Sequence, residues 1–190
     1  MKKQQEICDA TRKNFIDAFC ALYKKSAPDK KITVQELSKK AGYNRCTFYQ
    51  YFNDVDDILT SLEDMVISYT CEHMAALIKH SDFADMFIES FVAMQTESKM
   101  ATYIKVLLGT SNSAKFALRL KAALLPVFME RFNVQKTDIK SIYVLEFYLS
   151  GIISIGNRWL QNGREIDTEE LGSLIRGLLT KGVLHTLKKK

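Results

Sequence analysis

Four hydrogen-bonding side chains, Asn44, Arg45, Thr47 and Gln50, crowd into the run AGYNRCTFYQYF at residues 41–52, together with five aromatic rings and one glycine. The chemistry they offer is recognition. A guanidinium such as that of Arg45 presents two donors side by side, which match the O6 and N7 acceptors of a guanine edge. A purely buried segment would use Phe48 and Phe52 and need little else, and a plain surface loop would not carry four residues able to read a partner. Both demands meet in this run.

Residues that could break bonds are scarcer. The candidates are Cys71, Glu72 and His73, with His80 and His185 far along the chain. Neighbours in a helix point in different directions, and neither a glycine-rich phosphate loop nor a GxSxG elbow accompanies them. Catalysis is therefore not expected, nor any cofactor. Cys8, Cys20, Cys46 and Cys71 are widely separated, with no CxxC pair and no paired histidine spacing, so neither a metal site nor a disulfide framework is indicated. A reducing cytoplasm is the simplest location.

The 190 residues, 47% hydrophobic and 26% charged, suit one or two globular domains. The N-terminus, MKKQQEICDATRK, has no apolar run to act as a signal peptide. The stretch from 143 to 160 is broken by Glu146 and Arg158, so no membrane span is expected. Charge is uneven: residues 1–52 carry eleven Lys and Arg against five Asp and Glu, and the remainder sixteen against seventeen. The excess points to a polyanionic partner for the N-terminal part, with nucleic acid and an anionic membrane surface both open on charge alone.

Helix signals run throughout, which predicts an all-α fold. Phe15, Ala18, Phe19, Leu22 and Tyr23 recur at helical spacing, and Pro28 in SAPDKK ends that first helix. Thr33 and Glu36 have the spacing of a capping box for a short second helix, with Val34, Leu37 and Ala41 inward and Gly42 as its stop. Asn44 can cap a third helix whose Phe48 and Phe52 point inward. Asn53 can cap a fourth, with acids in its first turn and a stripe of Ile58, Leu59, Leu62, Met65, Val66 and Tyr69. Two short helices joined by a glycine-containing turn in a basic segment form a helix-turn-helix, whose second helix enters the major groove. Arg45, Thr47, Tyr49, Gln50 and Tyr51 are then left to face the duplex.

The run ITVQELSKKAGYNRCTFYQYFNDVDDIL, preceded by TRKNFIDAFCALY, resembles the N-terminal DNA-binding domain of the TetR family of bacterial transcriptional regulators. Thr33, Ala41, Gly42, Thr47, Phe48, Tyr49 and Phe52 fall in register over roughly residues 8–65. The distal NRWLQNG is similar to the C-terminal region of a subgroup common in Gram-positive bacteria. The resemblance implies an all-α homodimer, a palindromic double-stranded DNA operator, and a pocket for a small-molecule effector in the larger C-terminal domain. It implies a helix-turn-helix domain over residues 1–53 and a regulatory and dimerisation domain over 54–190. It also implies that Thr33 and Gln35 contact phosphate or a base, that Asn44, Arg45 and Cys46 start the recognition helix, and that Thr47, Tyr49 and Tyr51 touch the DNA backbone. Where a lysine often opens the fourth helix this chain has Val55 among Asp54, Asp56 and Asp57. Phosphate contact then leans on Lys39, Lys40, the PDKK lysines and the N-terminal arm.

Further helices are expected near 83–97, 100–110, 113–133, 138–162 and 167–187, with Pro126 kinking or dividing the third of them. The segment from Asp138 is apolar on two sides, with Ile142, Leu149, Ile153 and Leu160 on one and Tyr143, Phe147 and Tyr148 on the other, so it needs two partners. Together with Leu171, Leu174 and Leu178 of the last helix it is expected to form a four-helix dimer interface through Leu149 and Ile153, with Gly151 and Gly156 allowing close approach; intrachain packing is the other use of the same stripes. Tyr103, Tyr143, Phe147, Arg158 and Trp159 are the expected pocket lining. A ligand-responsive repressor is the leading function, and a helical adaptor or a regulator controlled by a protein partner is the alternative.

Overall fold

A computed structural model describes residues 2–24, 31–77, 85–89, 98–109 and 113–182. Every regular element among them is helical, so the fold is all-α: α1 (Lys2–Tyr23), α2 (Val34–Ala41), α3 (Arg45–Tyr49), α4 (Val55–Leu77), α5 (Ser98–Gly109), α6 (Ser113–Arg131), α7 (Ile139–Gln161) and α8 (Thr168–Lys181), with helical residues 85–89 before α5. The backbone forms two compact units, residues 1–65 and 66–190, divided within α4. The expected ends at Pro28, at 90–97 and beyond 182 lie outside the described residues.

In the first unit the short helices are held by their caps. Thr33 accepts from the Glu36 amide at 3.2 Å, and the Glu36 carboxylate accepts from the Thr33 amide at 3.0 Å, which closes the capping box. Gly42 ends α2 at φ +79°, a left-handed conformation that suits a residue without Cβ, and its N–H donates to the Ser38 carbonyl. Asn44 Oδ1 accepts from the Thr47 amide at 2.7 Å and so starts α3. Such caps typically contribute about 1 kcal/mol each, a sizeable share for helices of eight and five residues that propensity alone cannot maintain.

One expected cap is reassigned. Asp54, not Asn53, accepts from the Asp57 amide to start α4, while the Asp57 carboxylate accepts from the backbone and side-chain nitrogens of Asn53. Two of the three acids beside Val55 are thus committed to local bonds. The N-terminal segment expected as an arm is also different: from Lys2 onward it is the start of α1.

In the second unit α7 packs on α5 and α6. Met74, Met86, Phe87, Leu124, Phe128, Leu145, Leu149 and Ile152 form its main buried cluster. Trp159, Leu171 and Ile175 form a second one with α8, and Trp159 Nε1 donates to the Ile166 carbonyl at 2.7 Å. Asp138 caps α7 by accepting from the Ser141 amide, and hydrogen bonding from the Ser141 side chain first, then from that amide, holds its carboxyl below its ordinary pKa. α6 runs unbroken through Pro126, so the expected division does not occur. By length and composition α7 could cross a membrane, against the expectation drawn from Glu146 and Arg158. Here it buries Leu145, Leu149, Ile152, Gly156 and Trp159 in helical packing.

Candidate nucleic-acid interface and ligand cavity

Phe15 of α1 organises the helix-turn-helix. It is fully buried, and its ring centroid lies 5.2 Å from Tyr43, 5.5 Å from Phe48 and 5.9 Å from Phe52. Tyr43 precedes α3, Phe48 sits within it and Phe52 follows it, so one ring of α1 touches the chain before, within and after the short helix. Edge-on and tilted contacts at these distances add to the burial of the rings themselves. The helix ends at Tyr49, earlier than Phe52, yet the backbone keeps turning: the Tyr51 and Phe52 amides both donate to the Phe48 carbonyl.

Polar bonds from α1 reinforce that hold. Arg12 Nη2 donates to the Tyr51 carbonyl, and its guanidinium lies 5.4 Å from the Phe52 ring centroid. Asn14 Nδ2 donates to the Tyr43 hydroxyl at 3.0 Å. The Tyr51 hydroxyl is directed to Cys8 Sγ at 3.9 Å. Tyr51, expected to face outward, is therefore half-buried and tied to α1 by its ring hydroxyl and its carbonyl. Arg12 and Asn14 were not singled out in the sequence; exposed polar residues in the middle of a helix carry no periodic signal.

The expected contact residues divide by what their side chains already do. Thr33 and Asn44 are exposed but serve as caps, and the Thr47 hydroxyl donates to Asn44 Oδ1 at 3.0 Å. Gln35, Lys39, Arg45, Cys46, Tyr49 and Gln50 are exposed, Tyr49 by 54%. Arg45 and Gln50 make no side-chain hydrogen bond or ion pair among the described residues. The α3 surface thus presents a guanidinium, an amide, a phenol and a thiol above a fixed aromatic base. Lys13, Lys31, Lys39 and Lys40 are exposed in the same unit.

The Cys71–His73 segment does not assemble a nucleophile. Burial pushes the Cys71 thiol up, and Glu72 pushes it further, which is the opposite of activation. His73 stacks on Tyr69 with ring centroids 5.9 Å apart. Among the described residues no three of His, Cys, Asp and Glu gather in a way that could hold a metal.

The second unit contains a cavity of about 80 Å³ between α4, α5, α6 and α7, walled by residues such as Thr70, Met74, Ile104, Leu120, Ile152 and Asn157. None of the five expected lining residues borders it. Tyr143 and Phe147 lie on the outer face of α7, 68% and 66% exposed. Arg158 is exposed and pairs with Glu165 at 3.7 Å. Trp159 belongs to the α7–α8 cluster, and Tyr103 is buried but not in the cavity wall.

The residues expected at a dimer interface lie in several different settings. Leu149 and Leu171 are buried within their own unit, and Ile153 borders the cavity. Leu178 is half-buried, and Leu174 is 36% exposed. The outward apolar stripe is instead Ile139, Tyr143, Val144 and Phe147, all more than half exposed. Gly151 is exposed with open space where a Cβ would stand, whereas Gly156 faces inward and borders the cavity.

Residues 81–181 match the TetR C-terminal family described as "Transcriptional regulator C-terminal region". Among solved structures the chain is similar to the fatty acid degradation regulator FadR from Bacillus halodurans, with 17% identity over 91% of this chain and 96% of that one and a TM-score of 0.65. It is similar to NalD, the secondary repressor of the MexAB-OprM multidrug efflux pump in Pseudomonas aeruginosa, with 14% identity over 93% and 97% and a TM-score of 0.64. A tetR-family transcriptional regulator from Streptomyces coelicolor gives 15%, 96%, 84% and 0.61 in the same order. At these identities the likeness is one of fold. No curated protein sequence matches the chain.

Proposed function

The chain belongs to the TetR family of transcriptional regulators, and from that premise we propose that it is a repressor that binds a palindromic operator as a homodimer and releases it when a small molecule enters its second unit. The observation that carries this reading is the α3 surface. Arg45 at the start of α3 and Gln50 just past its end stand exposed, and the helix between them is fixed to Phe15 through Phe48, in the part of the chain that holds the positive excess. Base reading needs side chains held in register on a rigid support, and phosphate affinity needs nearby cations.

Arg45 reads base edges from the start of α3, with Gln50 and Tyr49 beside it. Lys39 and Lys40, in the last turn of α2, grip phosphates with Gln35 and Lys31. Thr33, Asn44 and Thr47 act mainly by fixing the two helices. The proposed second-copy contact is the exposed stripe Ile139, Tyr143, Val144 and Phe147 of α7, with Leu174 of α8. Four large apolar residues more than half exposed are better covered than wetted. NalD is described as a repressor, which supports that direction of control, and a DNA-binding repressor works in the cytoplasm.

Recovery of genomic fragments bound by the purified chain tests the reading. A repressor retains a small set of fragments with a shared inverted repeat in excess non-specific DNA. Uniform loss of all fragments to competitor points instead to the adaptor alternative.

A further inference from the structure

We propose that the cavity of the second unit takes a neutral, slender, apolar molecule carrying a single hydrogen-bond donor, which Asn157 receives. The regulatory meaning of such a ligand rests on the repressor reading above; its chemistry follows from the walls. No Asp, Glu, Lys, Arg or His borders the cavity among the described residues. A charged group placed there would lose its hydration without a partner, so a carboxylate or an ammonium is excluded from the interior.

The polar groups present are few, and the buried atom left without a partner is an acceptor. Asn157 Oδ1 is buried and has no hydrogen-bond partner among the described residues. Thr70, on the facing helix, has already spent its hydroxyl proton on the Val66 carbonyl at 2.7 Å, which leaves it only acceptor capacity. Both oxygens therefore ask for a donor, and a hydroxyl or an amide N–H supplies one. Burying Asn157 Oδ1 unpaired carries a penalty that such a ligand relieves.

Shape narrows the class further. The α4 wall runs from Val66 to Met74 and the α7 wall from Ile152 to Leu160, ends eight positions apart in each case and so ~12 Å along each helix. A volume of about 80 Å³ spread along that length suits an unbranched chain better than a fused-ring system.

The test uses the intact protein and four probes of matched length: octanol, methyl heptyl ether, octanoate and octylammonium. Binding is read by calorimetry and by thermal stabilisation in the absence of DNA. Octanol is expected to bind about tenfold more tightly than the ether, which lacks the donor, and neither charged probe should bind measurably at neutral pH. In Asn157→Leu the preference for octanol over the ether should disappear, and Ala117→Met, which fills the wall, should weaken both. Equal binding of octanol and ether by the unmodified chain overturns the donor assignment. Binding of octanoate as tight as octanol overturns neutrality, and would place its carboxylate at Lys105 in the depression that shares Leu108 and Leu160 with the cavity. Failure of all four probes overturns the ligand class. Operator release is measured separately: selective octanol binding that leaves DNA affinity unchanged keeps the cavity chemistry and removes the ligand-responsive reading.

Discussion

Arg12 Nη2 donates to the Tyr51 carbonyl at 3.2 Å, joining residues 39 apart in sequence and fastening the chain that leaves α3 to the helix that precedes it. The same guanidinium lies over the Phe52 ring. An exposed charged bond and an exposed cation–π contact together are worth about 1–2 kcal/mol. Arg12→Met keeps the stem and loses both. It should lower the stability of the first unit by that amount in urea unfolding, and weaken binding to all operator variants alike. Unchanged stability with weaker binding would show that Arg12 meets phosphate instead.

What was legible in the sequence is what is decided locally. Thr33 and Glu36, Gly42 and Asn44 each form caps with residues three or four positions away, so their spacing announces them. Phe15, Phe48 and Phe52 stood out as inward residues by helical period and hydrophobicity. The cavity and the outer face of α7 were not legible for a physical reason. Phe147 is as apolar as Leu145 and Leu149 and Tyr143 carries a ring of similar bulk, so the placement of α5 and α6 decides which pair is buried. The half-burial of Tyr51 carries no local signal either, because the thiol its hydroxyl is directed to, Cys8, is 43 residues away.

Cysteine labelling tests the exposure of the recognition helix. Cys46 is exposed on α3, whereas the Cys20 thiol is buried and pushed up to about 12, first by burial and then by Asp17. Iodoacetamide at pH 8 should modify Cys46 in the native protein and leave Cys20 unmodified until unfolding, as read by mass spectrometry. Operator DNA should slow Cys46 labelling at least severalfold; an unchanged rate would put α3 away from the duplex. Because the folded Cys20 pKa is raised, its contribution to stability is complete below about pH 9 and is lost as pH rises towards 12.

The proposed subunit contact gives a third expectation. Phe147→Glu places a charge at the C-terminal end of the exposed α7 stripe without touching the buried cluster. The variant should fold, with an unchanged helical spectrum, and sediment as a monomer. Its operator affinity should fall by at least about tenfold, since one half-site then binds alone. A folded dimer would locate the contact elsewhere.

Salt dependence separates grip from reading. If each subunit neutralises three to five phosphates, operator affinity should fall by about 10³–10⁵ between 50 and 200 mM salt. Lys39→Gln should reduce the logarithmic slope by about one per subunit while leaving sequence preference intact. A slope unaffected by this change would remove Lys39 from the phosphate contacts.

The central claim is that α3 reads bases through Arg45 while its surroundings hold it in place. Its most direct test is the affinity of the unmodified chain and of Arg45→Ala for an operator and every single-base variant of it, at one salt concentration. The account predicts a loss of about 1–3 kcal/mol per half-site for Arg45→Ala on the operator, with preference erased at one symmetric pair of positions and kept at the others. An even loss across all variants, with every base preference intact, would contradict it and make Arg45 a phosphate contact.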